Sequence, residues 1–201
     1  ILRQRKSLIP YLYNCAYNSV ENDVPVQAPP YIYYNDENID VNTDSFMLGR
    51  DVLAKCVLDE GVTQVSVYLP KGDDWYLNET GKLYCGASTV KVDLPSDKPV
   101  PYFIRCGSVF PVDEGECSYK SAEKVVFTVY PVKNGKFTAR YFNDDGEYFE
   151  YLKNNCVKLE FVVNCDNVNV DVVVNNKGNV KFEPEIKLVS TDLRKLNVSV
   201  K

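Results

Sequence analysis

Thr63-Gln64-Val65-Ser66-Val67-Tyr68-Leu69 puts Val65, Val67 and Leu69 on one face. That period of two is how an extended strand presents an apolar side to a core. It returns at Thr89 to Leu94, where Val90, Val92 and Leu94 share a face. It continues through Tyr102 to Ile104, Lys124 to Tyr130, Phe137 to Phe142 and Val157 to Val163, then Val168 to Val174, Ile186 to Val189 and Leu196 to Val200. Turn signals separate these runs: Lys71-Gly72-Asp73, Lys133-Asn134-Gly135, Asp144-Asp145-Gly146 and Asn175-Asn176-Lys177-Gly178. Short alternating strands broken by turns predict a mainly β chain of antiparallel β-sandwich architecture, long enough for two small sandwiches. The polar stretch Asp113 to Ser121, after Pro111, is the expected seam.

The first fifty residues read differently. Leu8, Leu12 and Ala16 recur at helical spacing beside Ile9, Tyr13 and Cys15, so Arg3 to Tyr17 reads as a helix too apolar to stand exposed. Pro10 inside it should free the Lys6 carbonyl and kink the axis. Val24 to Ala28 is a buried-strand candidate that Pro29-Pro30 stops. Tyr31 to Tyr34 leads into an acidic loop, Asn35 to Asp44, expected to be solvated. Asp44-Ser45 can cap a short helical turn through Leu48, which Gly49 would end.

Composition narrows the functional classes. The 201 residues are 45% hydrophobic, enough to build a core, and carry a formal net charge of −5. That balance argues against phosphate-backbone binding, so no nucleic-acid partner is expected. No stretch is apolar enough to predict a membrane span. The chain has no histidine, which excludes Ser-His-Asp and Cys-His catalysis and imidazole zinc sites within it. Seven cysteines without a Cys-x-x-Cys pair predict mostly free, buried thiols and no metal site. Ile1-Leu2-Arg3-Gln4, with no initiator Met and no signal-peptide pattern, reads as an internal start. Asn78-Glu79-Thr80 and Asn197-Val198-Ser199 are glycosylation sequons, which tilt the expected compartment toward a secretory route.

Few residues offer chemistry of their own. Asp144-Asp145-Gly146-Glu147 gathers carboxylates, but the spacing is not that of a calcium loop, and Asp-Gly between aromatic strands reads as a turn. Trp75-Tyr76 could stack on sugar rings or fill a strand face. On residues alone the reading is a helix, a buried strand and then β-sandwich.

Several stretches in series resemble the C-terminal part of glycoside hydrolase family 31, the α-glucosidase family. Arg5-Lys6-Ser7-Leu8-Ile9-Pro10-Tyr11-Leu12-Tyr13 is similar to that family's Arg-x-x-Leu-Leu-Pro-Tyr-Leu-Tyr helix, late in the catalytic barrel. Asp44-Ser45-Phe46-Met47-Leu48-Gly49 resembles its Asp-Gln-Phe-Met-Leu-Gly. Glu60-Gly61-Val62-Thr63 through Val67-Tyr68-Leu69-Pro70-Lys71-Gly72, then Val100-Pro101-Tyr102-Phe103-Ile104-Arg105-Cys106-Gly107-Ser108, follow the same order. Tyr141-Phe142-Asn143-Asp144-Asp145-Gly146 resembles its distal Tyr-x-Asp-Asp-Gly turn.

The resemblance implies a layout. Residues 1–50 would be the tail of a (β/α)8 barrel, as a helix-strand-helix piece whose strand is Val24 to Ala28. Residues 51–115 would be a proximal and 118–201 a distal antiparallel β-sandwich. The parent would be a retaining, exo-acting glycosidase acting on α-linked oligosaccharides, its two catalytic carboxylates lying in the upstream barrel. That barrel, in cis or as a separate processed chain, is the implied partner. No catalytic residue and no cofactor fall in this chain. Barrel active sites lie at the C-terminal ends of the strands, which makes Tyr31, Tyr33 and Tyr34 candidates for the rim. Trp75 and Tyr76 remain candidates for sugar stacking, and Asn78 and Asn197 for glycosylation. The alternatives are a noncatalytic carbohydrate-binding or interaction module, or a degenerate member of the family.

Overall fold

The computed structural model describes residues 2–94, 101–115 and 124–201. Two helices, α1 (Leu2–Ser7) and α2 (Ile9–Asn22), open the chain. The strands follow as β1 (Gln27–Ala28), β2 (Ser45–Leu48), β3 (Val52–Lys55), β4 (Gln64–Leu69), β5 (Trp75–Leu77), β6 (Leu83–Tyr84), β7 (Ser88–Asp93) and β8 (Phe103–Arg105). Then come β9 (Ser108–Asp113), β10 (Val125–Tyr130), β11 (Gly135–Asn143), β12 (Val157–Cys165), β13 (Asn169–Asn176), β14 (Glu185–Leu188) and β15 (Lys195–Val200). The mainly β expectation holds. The expected seam at Asp113 to Ser121 lies largely outside the described residues, as does Cys117.

The strands form four sheets, ordered β1-β2-β3-β8-β5-β6, β4-β7, β14-β10-β9 and β11-β12-β13-β15. Alternation decides the layering. Val67, Leu69, Val90 and Val92 of the β4-β7 pair pack on Met47, Leu53, Trp75, Leu77 and Phe103 of the six-stranded sheet. Val125, Phe127 and Val129 of β10 pack on Leu159, Phe161, Val163, Val170, Val172 and Val174 across a second layered core. A third core joins the two, with Val52, Tyr76, Ile104 and Cys106 meeting Phe110 and Tyr130 beneath Tyr11 and Cys15 of α2.

Three expectations are corrected. Pairing is not antiparallel throughout, because β14 runs parallel to β10 and β15 parallel to β13. Parallel neighbours need a crossover, and the long excursion through the other layer supplies one between β10 and β14. Residues 45–48, expected as a helical turn, are strand β2. Ser45 and Met47 point into the core, and ladders to β1 and β3 on both sides override a local capping preference. Of the strand expected over Val24 to Ala28, only Gln27 and Ala28 pair, antiparallel to β2, because Pro25 has no N–H to give a ladder. The antiparallel pairing differs from that of a barrel strand, which is parallel to its neighbours.

The helix breaks at Leu8 and restarts with Pro10 in the first turn of α2, where a missing N–H costs nothing. The acidic loop is anchored rather than merely solvated. The Asp36 carboxylate accepts hydrogen bonds from the Lys71 N–H at 2.8 Å, the Tyr68 hydroxyl at 2.7 Å and the Asn38 N–H at 3.0 Å. The Lys71 N–H above all, with the Tyr68 hydroxyl, outweighs burial and holds the Asp36 pKa at about 2, down from 3.8. A depressed carboxylate stabilises the fold above its unfolded pKa and loses that contribution as pH falls through the folded one. The loop is therefore expected to stay pinned above about pH 4 and to release toward pH 2. Titration of the Asp36 carboxyl carbon shift reads this directly, and a midpoint at or above the ordinary value would contradict it.

Candidate functional site

Most of the motifs singled out in the sequence converge on α2, while Val67 and Leu69 of the Glu60 to Gly72 stretch face another core. Its buried face is Pro10, Tyr11, Asn14 and Cys15. The Tyr11 hydroxyl donates to the Leu48 carbonyl at 2.6 Å and accepts from the Asp51 N–H at 3.2 Å, tying the helix to the β2–β3 turn. Burial pushes the Tyr11 pKa well up, with Asp51 adding to it, so the hydroxyl stays neutral and serves in both roles. Gly49 makes this approach possible. Its φ is +55°, and a Cβ there would stand 2.7 Å from Cys15 Sγ and 2.9 Å from Tyr11 Oη.

One turn further, α2 reaches the other sheet. Asn14 donates from Nδ2 to the Arg140 carbonyl at 3.2 Å and accepts at Oδ1 from the Phe142 N–H at 3.1 Å. β11 is an edge strand, so this side-chain amide takes the place of a neighbouring peptide and satisfies backbone groups that would otherwise be left open. The Tyr17 ring stacks on Phe142 at 3.7 Å and 5°. The Tyr13 hydroxyl donates to Asp144 Oδ1 at 2.5 Å. Burial first and Asp144 second raise the Tyr13 pKa far above its ordinary value.

An ion cluster lies beside this junction. Arg105 donates to Asp51 Oδ1 from Nε at 3.0 Å and from Nη2 at 2.8 Å, with Asp73 at 3.8 Å. Asp73 in turn accepts from the Tyr34 hydroxyl at 2.9 Å. Burial works against the Arg105 charge, yet Asp51 and then Asp73 outweigh it and its pKa rises. Arg50, Arg105 and Arg140 line a cleft of about 300 Å³ along this side of α2. The Arg105–Asp51 bonds tie strand β8 to the turn between β2 and β3. Sequence reasoning quoted Tyr11, Tyr13 and Arg105 within motifs but missed Asn14, Asp51 and Asp73 as their partners.

The other candidates separate. Tyr31 is exposed in a 3-10 turn over Pro30–Ile32. Tyr33 donates to the Pro25 carbonyl at 3.1 Å beneath the Arg50 guanidinium, and Tyr34 is held by Asp73, so of the three only Tyr31 stands free at the surface. Trp75 is 0% exposed and Tyr76 4%, and both are core residues. A ring without an exposed face cannot stack on a sugar, which removes that pair as a binding platform. Asn78 accepts from the Tyr102 N–H at 2.7 Å, and Asn197 donates from Nδ2, the atom a glycan would take, to Asp171 at 2.8 Å. Asp144 and Asp145 accept backbone N–H groups of their own turn, from Gly146 and from Glu147 and Tyr148. Cys15, Cys106, Cys156 and Cys165 are free and buried, while Cys56 and Cys85 are free and exposed. Among the described residues no helix is long and apolar enough to cross a membrane.

Comparison with known proteins gives this junction a context. Residues 23–110 match the family model for the glycosyl hydrolase family 31 C-terminal domain. The chain is 31% identical over 165 residues to a probable glucan 1,3-alpha-glucosidase of Arabidopsis thaliana, covering 80% of this chain and 18% of that protein. It is 31% identical over 185 residues to neutral alpha-glucosidase C of Mus musculus, covering 88% of this chain and 20% of that one. An alpha-xylosidase of Saccharolobus solfataricus is 30% identical over 157 residues, which is 76% of this chain and 21% of the xylosidase. In three dimensions a family 31 dextranase of Flavobacterium johnsoniae, complexed with glucose, superposes with a TM-score of 0.81 over 94% of this chain and 24% of its own, at 24% identity. A glucosidase II alpha subunit does so at 0.71 and 27% identity, over 80% of this chain and 18% of its own. The chain spans about a fifth of the length of the curated relatives it matches. Motifs, fold and relatives agree that the chain belongs to glycosyl hydrolase family 31, as the C-terminal part of such a protein.

Proposed function

We propose that the full protein is a retaining, exo-acting α-glucosidase-like hydrolase of α-linked oligosaccharides, and that residues 1–201 close and buttress its catalytic barrel. In this reading residues 1–50 are the barrel's tail, with β1 and β2 added to the sheet of the proximal sandwich at 51–115, and 118–201 are the distal sandwich, joined to the proximal one by the β9–β10 ladder. The upstream barrel supplies both carboxylates. One attacks the anomeric carbon and the other protonates the leaving oxygen. Tyr31 is the residue of this chain assigned to the rim of that site.

The observation that carries the proposal is the two-sidedness of α2. One face is stitched to both sheets by Tyr11, Asn14 and Tyr17, while Ile9, Tyr13, Ala16 and Val20 form a second stripe that is exposed. Its spacing is that of a helix face made to pack. An apolar stripe of this kind suits a further protein layer, and the relatives have several times more chain to provide one.

The test compares the 201-residue chain with the full-length protein on an α-glucoside, with the product anomer followed by NMR. The full protein is expected to release α-glucose first, and the 201-residue chain nothing. Turnover by the short chain, or release of β-glucose by the long one, would overturn the proposal.

A further inference from the structure

Between β11 and β12 the chain makes a 3-10 turn over Phe149–Lys153. Tyr148 is 68% exposed, Phe149 75% and Leu152 72%, which puts three large apolar side chains within five residues facing outward. Isolated exposed hydrophobics are ordinary, but a contiguous group marks a contact surface. We infer that this turn is a second docking point for the polypeptide lying outside residues 1–201, so that the distal sandwich grips the catalytic part directly and not only through α2. The inference rests on the reading above and extends it to a different element.

The turn is continuous with the exposed stripe of α2. Tyr13, on that stripe, donates to Asp144 at the start of the connection. Phe142 carries Tyr17 on its ring face, with Tyr13 stacked at 6.2 Å and Tyr151 edge-on at 6.2 Å. Tyr151 meets Phe149 at 6.3 Å. A chain of ring contacts therefore fixes the turn to the helix, so that a body covering Ile9, Tyr13 and Val20 is carried on to Phe149.

The local polar groups favour a protein occupant over a sugar. Asp145 is taken up by the N–H groups of Glu147 and Tyr148, and Glu150 is paired with Lys153 at 2.8 Å. What stands open beside these carboxylates is mainly the surface of Tyr148, Phe149 and Leu152. The relatives are about five times as long as this chain, and in the proposed reading the polypeptide they carry beyond it is the occupant.

The test places a benzoylphenylalanine photo-cross-linker at position 149 of the full-length protein, at Val20 as a reference on α2, and at Leu193, which is 95% exposed, as a surface control. Position 149 is expected to cross-link to peptides outside residues 1–201 at a yield similar to Val20 and several-fold above Leu193. Cross-links from Val20 alone would overturn this inference and leave the proposed function standing, whereas silence at both positions would overturn both. Cross-links from 149 to a second copy, or to peptides within residues 1–201 only, also contradict the inference. Phe149→Ser with Leu152→Ser should lower the thermal midpoint of the full protein by several degrees. Side chains that face water there would leave it unmoved.

Discussion

Trp75→Ala is expected to lower stability by about 3–5 kcal/mol, the cost typical of emptying a large aromatic site in a core. Trp75 is wholly buried in β5, between partners Tyr84 on β6 and Arg105 on β8. Its ring packs with Met47, Leu53, Leu77 and Phe103, and Tyr34 tilts against it at 5.8 Å. Val67, Leu69, Val90 and Val92 of the facing β4-β7 pair close the same core, so the cavity left behind cannot collapse without moving a strand. Trp75→Phe keeps most of the contact and should cost much less. Denaturant unfolding of the full protein measures both. Sugar affinity is expected to be the same in the folded fraction of either variant. An unchanged midpoint together with lost sugar binding would restore the aromatic platform that burial removes.

The second large effect is at Tyr11. Tyr11→Ala should cost about 3–5 kcal/mol, since a ring 3% exposed and tilted against Phe110 at 4.5 Å is lost. Tyr11→Phe keeps the ring and removes only the hydroxyl, leaving the Leu48 carbonyl and the Asp51 N–H without their partner. That is worth about 1–3 kcal/mol. Hydrogen exchange adds a spatial readout, because the Asp51 amide should lose protection in both variants while β13, in another sheet, keeps it. Equal protection of Asp51 in the wild type and Tyr11→Phe would mean that the hydroxyl does not bridge helix and turn.

These two residues also show what a sequence can and cannot convey. β4, β7, β12 and β13 are legible because one face of each meets the core, so their residues alternate. β5 and β9 are buried on nearly every residue and show no alternation, and Pro111 disguises β9 further. Proline is tolerated there because β9 is the edge strand of its sheet. Trp75 has a polar tip, and nothing in the residues around it tells whether a second layer covers the ring. The helical spacing of Leu8, Leu12 and Ala16 marks the helix but not its inward face, since Leu8 and Leu12 are only half-buried and Ala16 is exposed. The inward face carries Tyr11 and Asn14 because it meets backbone, at a turn and at a strand edge, and backbone requires donors and acceptors. The family motifs name the segments that meet α2, but neither their meeting nor the bonds that join them.

The most direct measurement is an experimental structure of the full-length protein, read at Ile9, Tyr13 and Val20. If residues 1–201 buttress a catalytic barrel, polypeptide from outside this segment covers all three side chains. If they stand in solvent while α2 keeps its contacts to β2 and β11, the segment is not a buttress and the assigned role fails.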